Sequence, residues 1–397
     1  MRVFQLNSVC GKGSTGRIAV DIYNHLLSKG DECLIAYGRD TAPSGINSYK
    51  IGSDFGVKLH GVLSRINDRQ GFMSNVATKQ LIRKIREYGP DIIHLHNIHG
   101  YYLNIKLLFR FLKEYQKPVV WTLHDCWAFT GHCAYFSFAG CDKWQSGCYS
   151  CPQKGGYPKS LVLDNSKKNY LEKKEAFKGL KNAVLVTPSY WLQATAKQSF
   201  LSDYDIRTIY NGIDLEIFKP TDGDFKKRYN IEDKKLLLGV ANIWEKRKGL
   251  DDFLKLSKLI SNDYIIVLVG LSSEQIKILP QNIIGIERTE SVKELAEIYS
   301  ASDVYINTSV EETMGLTTVE AFATGTPAIV YNKTAVPEIV DEKSGVIVKA
   351  GDVDAIWKAV QNMNLKAEDC IRRASDFEKN MQYSKYYDLY KEILARN

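Results

Sequence analysis

The chain has 397 residues, 44% of them hydrophobic and 25% charged, which excludes a disordered or fibrous protein and is too long for one ordinary domain. No apolar run approaches the roughly 20 residues of a membrane span, and the start MRVFQLNSVC reads directly as a strand, so a cytoplasmic protein with reduced thiols is expected. The net charge of +7 is uneven, with 27 Lys and Arg against 14 Asp and Glu in residues 1–200 and 26 against 32 in the remainder; the basic half is expected to meet an anionic partner, and with no nucleic-acid module in sight an anionic membrane surface is preferred to nucleic acid.

Arg2 to Asn7 reads as an apolar strand. The loop Gly11-Lys12-Gly13-Ser14-Thr15-Gly16 follows, then a helix from Arg17 to Lys29 and a strand from Glu32 to Tyr37. This Rossmann-like unit contains a formal GxGxxG. Its second strand ends in Gly38-Arg39-Asp40 rather than a clear terminal acid, and Gly16-Arg17-Ile18 replaces the Gly-Lys-Ser/Thr of a P-loop. An NAD(P)-dependent oxidoreductase is therefore the weaker alternative.

Residues 55–90 read as helical and basic, with Lys79, Arg83, Lys84 and Arg86 clustered. A solvated helix face and an acceptor- or membrane-facing surface are both open readings. Asp91 to His94 reads as a buried strand, ending in Leu95-His96-Asn97-Ile98-His99-Gly100. Ile105 to Tyr115 is an apolar helix with cationic punctuation, suited to the core or to a bilayer surface. The strand Pro118 to Leu123 then delivers His124-Asp125 at its C-terminal end, where open α/β sheets bind ligands.

Cys133, Cys141, Cys148 and Cys151 fall within 19 residues of a Gly-rich loop spanning 126–153. Four thiols with one CxxC point to a structural zinc site, with Cys126 and His132 as substitute ligands. The CxxC stands alone among irregular spacings, so free thiols remain open, as do disulfides, which a cytosol disfavours. A basic helix from Lys167 to Lys181 and a strand from Ala183 to Pro188 close the first half.

The second half opens with a strand from Leu236 to Asn242 and the loop Ile243 to Gly249, followed by strands at Ile265–Gly270 and Ile284–Ile286 and a helix from Glu290 to Ser300. The segment Asp341 to Lys349 reads as hairpin-like. Asp303 to Ile306 is a short strand leading into NTSVEETMGLTTVEAFATGTP, residues 307–327. Past Gly315 the pattern becomes helical, with Leu316, Val319, Phe322 and Ala323 on one face and Gly325-Thr326-Pro327 as the stop. Gly315 thus sits at a helix start, where free amides and the positive dipole end suit an anion. Glu312 and Glu320 frame it, with Thr317 and Thr318 between. Carboxylates accept hydrogen bonds from sugar hydroxyls while amides and threonines face phosphates.

Glu312-x7-Glu320 with Gly315 inside, followed by Ala321-Phe322-Ala323-Thr324-Gly325-Thr326-Pro327, resembles the donor-site signature of family-4 retaining glycosyltransferases. The insert beginning His124-Asp125-Cys126-Trp127 resembles that of bacterial enzymes of capsule and exopolysaccharide (colanic-acid-type) assembly. The resemblance implies the GT-B fold, two Rossmann-like α/β domains facing across a cleft. It implies an acceptor-side domain over 1–210, a donor domain over 211–379 and a C-terminal helix, 380–397, packing back on the first. Asn211-Gly212-Ile213-Asp214 and Phe218-Lys219-Pro220 match the junction.

The implied reaction is retaining transfer of a sugar from a nucleoside-diphosphate donor to a hydroxyl of a growing cell-surface polysaccharide or lipid-linked glycan. By the same resemblance Glu312 and His124 contact the transferred sugar, and Glu320 holds the ribose. Lys248 and the amides of Met314, Gly315 and Leu316 face the diphosphate, beside Thr317. Arg288 and Thr289 border the base, and Gly13 and Gly16 approach the donor. Where the family carries an Arg six places before the Lys this chain has Asn242, so Arg247 or Lys246 is the candidate to compensate. No cofactor is required for catalysis. The triplets Asp203-Tyr204-Asp205, Asp222-Gly223-Asp224 and Asp352-Val353-Asp354 read as polar linkers rather than a metal site. The acceptor expected for the basic first domain is polyprenyl-diphosphate-linked, with the protein peripheral to the inner face of the cytoplasmic membrane. A non-catalytic nucleotide-sugar-binding protein is the other alternative.

Overall fold

Along Arg2–Asn7 (β1), Val3 and Phe4 point to opposite faces of the pleat, and both are fully buried. A strand covered on both faces belongs in a parallel sheet with helices on either side. The computed structural model, which describes residues 1–396, builds two such sheets.

The first contains β1, Glu32–Tyr37 (β2), Ser48–Lys50 (β3), Ile92–Leu95 (β4), Val119–Thr122 (β5), Ala183–Thr187 (β6) and Asp205–Thr208 (β7). Its order is β3-β2-β1-β4-β5-β6-β7, and every pairing is parallel. One face is covered by a core including Phe4, Leu6, Phe109 and Trp121, the other by Val3, Ile22, Ile35 and Val120. The second sheet contains Lys235–Val240 (β8), Tyr264–Val269 (β9), Ile283–Ile286 (β10), Val304–Asn307 (β11), Ala328–Tyr331 (β12) and Gly345–Val348 (β13). Its order is β10-β9-β8-β11-β12-β13, again all parallel. The chain divides into two compact units, one of Met1–Tyr210 with the segment from Asn380 onward, the other of Asn211–Lys379.

The last helix, Lys379–Ala395, buries Tyr383, Tyr386, Leu389, Tyr390 and Ile393 against the β1 face of the first sheet. Asn397, the end of the expected 380–397 segment, lies outside the described residues. The helix Ile105–Tyr115 belongs to the core, with Ile105, Leu108, Phe109, Phe111 and Leu112 buried. The helix Asn75–Tyr88 buries Leu81, Ile85 and Tyr88 and turns Lys79, Arg83 and Arg86 to solvent. No helix among the described residues is long and apolar enough to cross a membrane.

Two readings need correction. Asp341 to Lys349 is not a hairpin: only Gly345–Val348 forms a strand, β13, which pairs parallel with β12 at the sheet edge, and the polar residues Asp341 to Ser344 form the turn before it. Asp205 opens β7 rather than lying in a linker, and Arg207 pairs with it at 2.9 Å.

Candidate functional site

In each sheet the connection reverses direction beside the first strand, between β1 and β4 and between β8 and β11. Open α/β sheets bind ligands beyond the strand ends at such a switch point. In the second unit, β8 runs into the loop holding Lys246, Arg247 and Lys248, and β11 into the loop holding Glu311, Glu312 and Gly315.

The two loops are stitched together. Val310 N–H donates to the Arg247 carbonyl at 2.9 Å, and the Thr308 hydroxyl donates to the Lys248 carbonyl at 2.8 Å. Gly249 permits this approach: its φ is +77°, and a Cβ there would sit 2.6 Å from the Thr308 carbonyl oxygen. Lys248 Nζ consequently forms a close ion pair with Glu312, the two side chains 16% and 18% exposed. Burial raises the Glu312 pKa, but the Lys248 and Arg247 cations outweigh it and hold the carboxyl below its ordinary value, so it is ionised at neutral pH. Its amide donates to the Thr334 hydroxyl at 2.9 Å.

Gly315, at φ +90°, is the N-cap of the helix Leu316–Ala323, and the buried Met314 precedes it. Thr317 accepts from the Tyr305 hydroxyl at 2.8 Å, and Thr318 from the Asn307 amide at 3.1 Å. Glu320, almost buried, accepts from the Tyr299 hydroxyl at 3.0 Å. Burial and the Glu320 charge keep that phenol protonated, hence a donor. Arg247 is engaged within its own loops, by Glu245 at 3.1 Å and the Glu311 carbonyl at 3.0 Å. Lys246 and Asn242 are exposed. The structure therefore brings Arg247, Lys248, Glu312, Met314, Gly315, Leu316, Thr317 and Glu320 into one neighbourhood. Thr289 is half-buried in the loop past the edge strand β10.

In the first unit, β5 carries His124 to its C-terminal end, 8% exposed. His124 Nε2 lies 3.1 Å from His96 Nδ1, and His96 Nε2 lies 2.9 Å from the Gln5 side-chain oxygen. The Gln5 amide is oriented by its own donation to the Ala19 carbonyl at 3.0 Å. An amide oxygen only accepts, so His96 Nε2 carries the proton, His96 Nδ1 accepts, and His124 Nε2 donates. Burial pushes the His124 pKa down to about 4, so the ring is neutral at physiological pH. Behind it the Tyr390 hydroxyl lies 2.6 Å from His94 Nδ1, and His94 Nε2 lies 2.8 Å from the Thr122 hydroxyl. Beside it Asp125 pairs with His99 at 2.8 Å. His94 and His96 were visible in the sequence as alternate residues on one strand face; that His96 orients His124 could not be read, because Gln5 arrives from another strand.

The loop Gly11–Gly16 opens the helix Gly13–Ser28, and Gly11 N–H donates to the Gly16 carbonyl at 3.0 Å. A Cβ on Gly16 would lie 3.1 Å from Gly11 N and from Val9 Cγ2, whereas Gly13, at φ +62°, faces open space.

Cys133, Cys141, Cys148 and Cys151 line one small cavity together with His132. The Cys133 thiol hydrogen-bonds Cys151, and Cys148 Sγ accepts from Gly131 N–H at 3.1 Å. All eight cysteines are free thiols in the structure. Among the described residues no group of three or more His, Cys, Asp or Glu is arranged to hold a metal ion. Lys173, buried beneath the loop, ties it down by donating to the Trp127 and Thr130 carbonyls at 2.8 and 3.1 Å.

Residues 15–217 match the family Glycosyltransferase Family 4, and residues 234–364 match Glycosyl transferases group 1. The chain is 27% identical over 235 residues to the putative colanic acid biosynthesis glycosyl transferase WcaC of Escherichia coli (strain K12), covering 54% of this chain and 55% of that one. It is 24% identical over 221 residues to the UDP-Gal:alpha-D-GlcNAc-diphosphoundecaprenol alpha-1,3-galactosyltransferase of Escherichia coli, covering 50% and 57%. These matches span little more than half the length of either relative. The sucrose-phosphate synthase of Thermosynechococcus elongatus superposes with a TM-score of 0.74 at 15% identity, covering the whole of both chains, a likeness of fold.

Proposed function

The chain belongs to glycosyltransferase family 4, with the two parallel-sheet units of a GT-B enzyme, and from that premise we propose that it moves a sugar from a nucleoside-diphosphate donor to a hydroxyl of a polyprenyl-diphosphate-linked glycan, with retention of configuration. The observation that carries the reading is the Lys248–Glu312 pair at the β8/β11 switch point, next to the Gly315 helix start. A cation and a helix N-terminus suit a diphosphate, and the neighbouring carboxylates suit sugar and ribose hydroxyls.

We assign Lys248, with Arg247 bracing its loop, and the amides of Met314, Gly315 and Leu316 to the diphosphate. Glu320 takes the ribose, Thr289 borders the base, Glu312 and His124 contact the transferred sugar, and Gly13 and Gly16 approach the donor. The bond from the anomeric carbon to the leaving diphosphate breaks as the acceptor oxygen bonds on the same face, and the acceptor proton passes to the diphosphate. Charge growing on that leaving group is met by Lys248 and the helix amides, without a divalent ion in the donor site. The undecaprenol-linked substrate in a relative's name supports a lipid-linked acceptor, and the basic first half supports an anionic membrane surface at the cytoplasmic side. The gathering of Cys133, Cys141, Cys148 and Cys151 around one cavity supports a structural zinc there, which would have to draw the thiols in, since they are not arranged around an ion as they stand.

Membership of this family leaves the NAD(P)-dependent alternative without support, and turnover separates transfer from mere sugar-nucleotide binding. A panel of sugar nucleotides should yield free nucleoside diphosphate with one donor in the presence of lipid-linked glycan, and the product's anomeric configuration by NMR should equal the donor's. Binding without release across the panel would replace transfer by a binding role.

A further inference from the structure

The helix Asp54–Asn67 is inside out. Its inward face carries Gly56, Val57, His60, Gly61, Ser64 and Asn67, with His60 2% and Ser64 3% exposed. His60 is pinned there, its Nδ1 2.8 Å from the Ser74 hydroxyl. Its outward face carries Phe55, Leu59, Val62, Leu63 and Ile66, with Phe55 76% and Val62 53% exposed. That spacing of four, three, one and three residues is the apolar stripe of an amphipathic helix, turned away from its own core. Scattered exposed apolar residues need no explanation, but a contiguous stripe does.

A second segment extends the patch. Leu161 N–H donates to the Arg65 carbonyl at 2.6 Å and Leu163 N–H to the Ile66 carbonyl at 3.0 Å. These bonds fix three consecutive apolar residues, Leu161, Val162 and Leu163, beside the helix end, Leu161 59% and Val162 60% exposed. The stretches 58–66 and 154–163 contain Lys58, Arg65, Lys154 and Lys159 and no acid; of the exposed acids that border them, Asp54 pairs with Lys50 at 2.8 Å and Asp164 accepts from the Cys151 and Ser166 amides.

We propose that this face, the outward stripe of Asp54–Asn67 with Leu161–Leu163, docks the protein on an anionic lipid bilayer. Apolar side chains enter the interface while the cations meet lipid phosphates, the pattern of an interfacial helix. A second copy of the chain is the weaker occupant, because a two-fold interface would bring four cations against four, with the flanking Asp54 and Asp164 already engaged by Lys50 and by backbone amides. The inference names the surface for the membrane contact in the reading above. It draws nothing from the donor site, so either can fail alone.

The test is flotation with vesicles of phosphatidylcholine alone and with added phosphatidylglycerol, at low and high salt. The full chain should float with the anionic vesicles, less at high salt. Leu59→Ser with Val62→Ser and Leu63→Ser should weaken binding at least about tenfold, and Lys58→Glu with Arg65→Glu should do likewise. Lys79→Glu with Arg83→Glu, on the neighbouring helix, should leave it nearly unchanged. Because substitutions can cost folding, Phe55→Trp and Val62→Trp provide a second reading: their fluorescence should shift to the blue on adding anionic vesicles. The proposal is overturned by failure of the parent protein to float, by an unshifted tryptophan at both positions, by equal binding in the triple serine variant, or by a dimer that the same variant dissolves. Nucleoside-diphosphate calorimetry on each variant tests the donor site independently, and its failure would leave the docking result standing.

Discussion

Glu312 and Glu320 stand eight positions apart but meet different partners. Glu312 faces the Lys248 ammonium, whereas Glu320 accepts from a buried tyrosine one turn into the helix. The ribose is bound alike in ground and transition states, while the sugar ring gains positive character as its bond breaks. Glu320→Gln should therefore weaken free nucleoside diphosphate and donor together, by about 1.5–3 kcal/mol. Glu312→Gln should lower kcat and leave nucleoside-diphosphate affinity almost intact. Calorimetry and initial rates on both variants check this; equal losses of diphosphate affinity would refute the division. His124 yields a pH prediction. Its folded pKa, about 4, lies below the ordinary 6.5, so the unfolded chain binds the extra proton between those values. The stability it contributes is complete above pH 6.5 and is lost as pH falls to 4, on the order of 3 kcal/mol for a shift of this size. Thermal melts across that window should show the loss, and His124→Asn should reduce it. Activity between pH 7 and 8 should show no titration from this ring.

The Cys-rich loop is an element with no repeating hydrogen-bond ladder, held by Lys173 below and by thiols gathered around one cavity. If zinc organises those thiols, purified protein should contain about one zinc per chain, and Cys148→Ser with Cys151→Ser should lose both metal and thermal stability. Metal analysis that finds none in protein prepared without chelator would refute the zinc reading and leave the transferase reading intact.

For the whole molecule, the C-terminal helix closes the first unit although it follows the second in sequence. Tyr390 reaches back 296 positions to hydrogen-bond His94 at 2.6 Å. Tyr390→Phe removes that partner and leaves a buried ring nitrogen unanswered, a cost of about 1–3 kcal/mol. The melting temperature should fall, with nucleoside-diphosphate affinity nearly unchanged because the residues assigned to the diphosphate and ribose, Lys248, Met314 to Leu316 and Glu320, lie in the other unit. A parallel loss of diphosphate affinity would show that the two units fold as one.

The strand–helix alternation and the helix start at Gly315 were legible because each is local: apolar periodicity and a Gly at the required positive φ report the backbone within a few residues. Glu312, Glu320 and Lys248 could be singled out for the same reason, through short motifs. What the tertiary structure decided depends on strand order, which no window of residues contains. Gln5, His96 and His124 come from β1, just past β4 and just past β5, and meet only because those strands are neighbours. The edge strands β3 and β7 are short and partly exposed, so their polar residues hide the strand pattern, while β13 is only four residues long behind a polar turn. The helix Asp54–Asn67 makes the same point in reverse. Its amphipathic period shows in the sequence, but periodicity gives the existence of two faces and not which one the core receives; that is settled by the small and polar residues that fit against Ser74 and Tyr101.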